Sequence, residues 1–199
     1  MRPKSVSQRT RLAAALLSIV ALYVLFAPDR SRPDYPLHAE ASPAQLTAVE
    51  VFFDPFYPIP KLVYLKDDAA TALLAMKEEA KRAGIDLVPL SGFRTLAYQQ
   101  ALYLKKAARL GTTQTLRAIA PAGHSEHHTG YAVDFAVLSD GQYQINSSFA
   151  ESSQYRWLTT HAGRFGFELS YPGDRSGTNF EPWHWRFVGT ASARLEFSR

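Results

Sequence analysis

From Leu12 to Ala27 the chain is uncharged and almost wholly apolar, with no polar face. At about 1.5 Å per helical residue this run spans roughly 24 Å, the short end of what crosses a bilayer. Arg2, Lys4, Arg9 and Arg11 precede it, which favours a cytoplasmic N-terminus. No small-x-small cleavage pattern follows directly: Pro28 succeeds Ala27, and Ala39-Glu40-Ala41 lies far downstream. The pattern therefore predicts an uncleaved single-pass anchor over residues 1–27 rather than a removed signal peptide. It places the rest of the chain outside the cytoplasm, in a periplasm or on the outer face.

Residues 28–60 carry seven of the twelve prolines. Proline fixes φ and removes a backbone donor, so this stretch is expected to run extended as a linker. Its aromatic-rich end, Val51 to Ile59, is a candidate to pack on the body.

Beyond residue 61 the periodicity changes. Three helical patterns are legible: one from Asp67 or Asp68 through Leu73, Leu74 and Met76 to Gly84, and one after Thr95 ending at Gly111. The third opens with Ser148 and Glu151 in capping-box spacing and ends at Gly166. Short β-rich runs fall at Leu87–Leu90, Tyr131–Val137, Gly166–Leu169 and His184–Val188, while 111–122 and 139–147 read as loops. Helices and strands do not alternate regularly. The expected body, residues 61–199, is thus an α+β domain with a small antiparallel sheet and flanking helices.

Charge sharpens the picture. The net charge is +4, yet residues 1–32 hold six basic side chains and one acidic, and the remainder 16 basic and 17 acidic. The basicity belongs to the N-terminal segment, so no nucleic-acid surface is expected. The chain has no cysteine, which excludes disulfides, thiolate metal sites and a thiol nucleophile. Any metal must be held by His and carboxylates.

Those residues cluster. Three of the six histidines lie in Gly123-His124-Ser125-Glu126-His127-His128-Thr129-Gly130-Tyr131-Ala132-Val133-Asp134. A second group is Glu181-Pro182-Trp183-His184-Trp185-Arg186, and a third is Ser91-Gly92-Phe93-Arg94. Two His and an Asp with a further Glu are the ingredients of a hydrolytic zinc centre, in which three protein ligands leave one position to water and a carboxylate takes its proton.

The combination Ser125-x-His127-x-x-Gly130-x-Ala132-x-Asp134 with Glu181-x-x-His184 resembles the zinc D-alanyl-D-alanine carboxypeptidases of the VanY type, which group with D-Ala-D-Ala dipeptidases and endolysin peptidases. Ser91-Gly92-Phe93-Arg94, Tyr98-Gln99, Gly166-Phe167 and Tyr171-Pro172 extend the likeness over roughly residues 85–190. The resemblance implies Zn²⁺ ligands His127, Asp134 and His184, Glu181 as general base, and Arg94 facing the scissile carbonyl. It also implies substrate contacts at Ser125 and Gln99. His124 and His128 compete with His127 as ligands; Trp185 and His161 read as packing residues, and Trp183 as a packing residue with lining of the cleft as its alternative. The implied activity is removal of the terminal D-Ala from peptidoglycan stem peptides. An L,D-carboxypeptidase, a cross-link endopeptidase or a silent cell-wall binding module are the alternatives; oligomeric state is not legible.

Overall fold

The computed structural model describes residues 35–52, 61–139, 141–173 and 180–198. Strands β1 (Leu46–Phe52) and β2 (Lys61–Lys66) form an antiparallel pair, followed by helix α1 (Asp67–Arg82) and strand β3 (Val88–Ser91). Helices α2 (Leu96–Leu110) and α3 (Thr112–Ala118) come next, then β4 (Ala132–Ser139), β5 (Gln142–Gln144) and helix α4 (Ser153–His161). Strands β6 (Phe167–Leu169) and β7 (His184–Phe187) and helix α5 (Ala191–Phe197) complete the described elements. The main sheet has the order β3-β4-β7-β6, with β5 paired to the far end of β4, and every pairing is antiparallel. The expected α+β class with a small antiparallel sheet is what the chain adopts.

Sequence explains most elements. Helix α1 buries Ala69, Ala70, Leu73, Met76 and Ala80, a stripe at three- and four-residue spacing, with Asp67 and Asp68 in its first turn and Lys81 and Arg82 in its last. Helix α2 is capped by Thr95, whose hydroxyl accepts from the Tyr98 amide at 3.1 Å, and stops at Gly111 with φ of 77°. The third expected helix is broken. Asn146 caps a 3₁₀ turn over Ser147–Glu151, Ser152 caps α4 afresh, and a second 3₁₀ turn, Ala162–Phe165, carries the chain to Gly166. Ser148 therefore lies inside the first turn instead of capping one long helix, because Asn146 and Ser152 offer competing side-chain acceptors. Of the segments expected as loops, 112–118 forms α3 and 142–144 forms β5.

The expected linker 28–60 also contributes to the body. Leu46 to Phe52 is strand β1, and upstream of it the chain is tied down by His38 N–H to Gly123 O at 2.8 Å and Ala41 N–H to His128 O at 2.8 Å. Prolines at 36 and 43 flank these bonds without interrupting them, since a backbone that alternates donors with bare residues still pairs where donors remain. The anchor expected over 12–27 lies outside the described residues. Among the described residues no helix is long and apolar enough to cross a membrane.

One core lies between α1, α4 and a face of the sheet. Val133 and Phe135 of β4 and Trp185 and Phe187 of β7 point into it, joined by Leu65, Leu73, Met76, Phe149, Leu158 and Phe167. Strand side chains alternate between faces, so Asp134, His184 and Arg186 emerge together on the opposite face. That alternation creates the site.

Candidate metal centre and active site

Strand register brings the first residues together. Asp134 pairs with Ser91 of β3 on one side and His184 of β7 on the other, forming a row across the sheet. His127 arrives from a 3₁₀ turn, Glu126–Thr129, closed by Gly130 in the left-handed conformation with φ of 73°. Gly92 is equally constrained: a Cβ there would meet Tyr64 O at 2.3 Å. This close approach lets Phe93 N–H reach Tyr64 O and leaves Gly92 O to receive His127.

His127, Asp134 and His184 are all buried, and each offers one ligand atom within 4.8 Å of the others. Asp134 Oδ2 lies 3.1 Å from His127 Nε2, and Asp134 Oδ1 lies 2.8 Å from His184 Nδ1. Each imidazole has its other nitrogen fixed from behind: His127 Nδ1 sits 2.7 Å from Gly92 O, and His184 Nε2 sits 2.9 Å from Glu126 Oε2. Histidines held this way present one defined nitrogen to a cation, and two imidazoles with a carboxylate suit zinc. The residues fit the metal.

The two histidines are tuned in opposite directions. Burial, and then Arg94, push His127 down to about 4, leaving it neutral as a ligand must be. Burial opposes the charge on Asp134, but His127 and Arg94 outweigh it and hold the carboxyl well below its ordinary range. Burial also disfavours a charged His184, yet hydrogen bonds to Asp134 and Glu126 raise it to about 10.

Glu181 opens the turn that leads into β7, with His184 N–H donating to Glu181 O at 3.0 Å. Burial raises its carboxyl to about 7, with Asp134 and Glu126 adding to the rise and His184 and Arg94 opposing it. Arg94 lies beside Asp134 and bonds to Oδ2; its Nε donates to Ser91 Oγ at 2.9 Å and its Nη1 to Gln99 Oε1 at 3.5 Å. Gln99 is fully buried, and its amide nitrogen donates to Ala120 O at 2.7 Å. Ser125 precedes the 3₁₀ turn, makes no capping bond there, and faces the same cavity. All seven residues singled out in the sequence line one cavity of about 210 Å³.

The competing histidines are placed elsewhere. His128 has Nδ1 2.7 Å from Arg94 O and accepts the Gly123 amide at Nε2, and His124 Nδ1 lies 2.9 Å from Tyr35 O. His161 stacks on Trp157 at 4.6 Å. Trp185 is a core residue whose indole donates to Pro182 O at 3.0 Å, and Trp183 lines the cavity.

Sequence reasoning missed Glu126, Tyr35 and Lys106. Glu126 is buried and held down to about 2, burial being overcome by His184 and Arg186; Arg186 Nη1 donates to it at 2.8 Å. Its one signal was its position between Ser125 and His127. Tyr35 and Lys106 line the cavity, Tyr35 reaching it from the stretch expected as linker, where its hydroxyl donates to Leu116 O at 3.1 Å.

An α+β domain carrying a buried His-Asp-His cluster with an adjacent glutamate and arginine has the form of a single-metal hydrolase centre. The sequence matches the VanY family, described as D-alanyl-D-alanine carboxypeptidase, over residues 62–190, and the chain belongs to that family. It is 31% identical over 164 residues to the putative carboxypeptidase YodJ of Bacillus subtilis, covering 81% of this chain and 59% of that protein. Among solved structures it resembles the LdcB LD-carboxypeptidase with a TM-score of 0.65 and 30% identity, covering 80% of this chain and 78% of that one. It also resembles a point mutant of the vancomycin-resistance D,D-pentapeptidase VanY in complex with Zn(II), with a TM-score of 0.53 and 28% identity, covering 83% and 93%. The chain spans less than two thirds of the length of the first curated relatives it matches.

Proposed function

We propose that this protein is a zinc-dependent D,D-carboxypeptidase that removes the terminal D-Ala from peptidoglycan stem peptides. The observation that carries the reading is the convergence of His127, Asp134, His184, Glu181 and Arg94 on one cavity in a chain of the VanY family. His127, Asp134 and His184 would hold the ion. What zinc supplies when bound is acidification of a water and polarisation of a carbonyl.

The chain's own groups do the rest. Glu181 takes a proton from the attacking water and later passes it to the leaving amine, a task suited to a carboxyl raised to about 7. The Arg94 guanidinium, fixed by Ser91 and Gln99, stabilises negative charge as it develops on the scissile oxygen. Ser125 contacts the substrate near its C-terminal end. Gln99, with both ends of its amide engaged, serves the substrate chiefly through Arg94.

An L,D-carboxypeptidase acting on tetrapeptides is the second reading, favoured by the likeness to LdcB. Incubating the purified protein with defined tetra- and pentapeptide muropeptides, followed by mass analysis, separates the two. Loss of one residue from the pentapeptide alone supports the D,D reading; loss from the tetrapeptide alone replaces it. A chelator should abolish turnover, and activity that survives complete zinc removal sinks the metal mechanism. Glu181→Gln is expected to bind zinc normally while losing turnover by roughly 10²- to 10⁴-fold. A fully active variant would remove Glu181 from the proton-transfer role.

The apolar run at 12–27 behind four cations supports a further part of the reading, that the body is held on the outer side of the cytoplasmic membrane near its wall substrate. Cell fractionation with external protease accessibility tests this; protein recovered wholly in the cytosol refutes it.

A further inference from the structure

The cavity contains a cation that the mechanism above does not use. Lys106 lies seven residues after Gln99 on α2, two turns along the same helix face, and both line the cavity. Long side chains on a helix lean toward its N-terminus, so the Lys106 stem runs back in the direction of Gln99 and Arg94. Its ammonium donates to Ala118 O at 3.5 Å, while Gln99 donates to Ala120 O at 2.7 Å. Two residues of chain separate these carbonyls, roughly 7 Å when extended. The wall between is Ala118, Ile119 and Ala120.

Apart from Glu181, which the mechanism uses, the charged groups around the metal cluster are paired. Arg94 bonds to Asp134; Asp134 also meets His127 and His184; Glu126 meets His184 and Arg186. No carboxylate among the described residues lies within ion-pair distance of Lys106. Its hydrogen-bond partner is a neutral carbonyl, Ala118 O, at the limit of hydrogen-bond distance. A half-buried ammonium so placed has shed part of its hydration without gaining a counter-charge, and an incoming anion supplies one. Neither Gln99, whose amide is engaged at both ends, nor Ser125 carries charge.

We propose that Lys106 recognises the free C-terminal carboxylate of the peptide and so confines this protein to trimming chain ends rather than cutting within chains. This rests on the peptidase reading above. Lys106 is a specificity-determining residue in that scheme and takes no part in bond cleavage. Its simpler role would be to brace the C-terminal end of α3 through Ala118 O.

The test compares the zinc-loaded full chain, as wild type, Lys106→Met and Lys106→Arg, on a muropeptide ending in a free carboxylate and on its C-terminal amide. The wild type should prefer the acid. Lys106→Met should raise KM for the acid about tenfold or more with little change in kcat, leave the amide unaffected, and so collapse the acid-to-amide ratio. Lys106→Arg should keep most of that ratio. A bracing role would lower the melting temperature and leave the ratio unchanged, and an unchanged ratio in Lys106→Met overturns the proposal.

Calorimetric binding of both peptides in a Glu181→Gln background needs no turnover and separates the two readings. Acid-selective binding that disappears in Lys106→Met supports the Lys106 role even if the wild type releases no product. Equal binding of acid and amide by the Lys106-containing protein overturns it even if hydrolysis is normal.

Discussion

Glu126 decides how His184 faces the centre. It accepts from His184 Nε2 at 2.9 Å and from Arg186 Nη1 at 2.8 Å, so His184 can turn only Nδ1 toward Asp134. A carboxylate behind a ligating imidazole fixes the tautomer and strengthens the donor, and its loss commonly costs 10- to 100-fold in metal affinity. Glu126→Gln should therefore weaken zinc binding by roughly 10–100-fold in a chelator-competition titration; unchanged affinity would show that the β7 backbone alone orients His184. The spacing of the candidate ligands His127, Asp134 and His184 was legible because it is written in the sequence. The orientation was not, because nothing in Ser125-Glu126-His127 says which way Glu126 faces until β7 is packed beside it. A second residue-scale consequence concerns His38, which is buried, has neither ring nitrogen hydrogen-bonded, and packs edge-on against Phe197. Burial lowers it below 6.5, against Glu126 and Glu196 and with His128 and Arg186. The unfolded chain then takes up a proton below about pH 6.5 that the folded chain refuses, so stability falls as pH drops through that value. Urea denaturation of wild type and His38→Gln from pH 8 to 5 should show a shallower acid loss in the variant; superimposable profiles would rule the residue out.

At the scale of elements, β4 is the organiser. Its odd positions Val133 and Phe135 enter the core while Asp134 turns to the opposite face, and its neighbours β3 and β7 deliver Ser91 and His184 to the same row. β4 and β7 were legible as short runs holding β-branched or aromatic residues, and β3 as the short apolar run Leu87–Leu90. β1 was not, since prolines on either side masked a seven-residue strand whose partner lies beyond them. The long third helix was over-read because competing caps at Asn146 and Ser152 divide it, and a capping box cannot show which of several nearby acceptors is used. The tightest junction between elements is Gly92, where backbone approaches Tyr64 O too closely for any side chain. Gly92→Ala must push β2 away from the β3–α2 corner, and overpacking of this kind costs about 1–3 kcal/mol. Because Gly92 O also holds His127, the same variant should bind zinc more weakly. A denaturation midpoint and zinc affinity both equal to wild type would mean that the corner relaxes without strain.

Across the whole molecule, the candidate ligands come from a 3₁₀ turn, β4 and β7, with fifty residues between Asp134 and His184. An ion bound there joins segments that separate on unfolding, so it must stabilise the native state by mass action. At free zinc a hundredfold above Kd the gain is about 2.7 kcal/mol. For a domain of this size each kcal/mol moves the melting temperature by roughly 2–4 °C, so calorimetry should find the zinc-loaded protein melting about 5–11 °C above the chelated protein. His127→Ala should remove that difference, and Glu181→Gln should preserve it, because Glu181 lies outside the His127-Asp134-His184 group and is proposed as base rather than ligand. The pair of variants therefore divides the cluster into residues that hold the ion and a residue that works beside it, with no substrate needed. A shift that survives in His127→Ala would mean that zinc stabilises the protein from some other site, and the His127-Asp134-His184 assignment would fall with it.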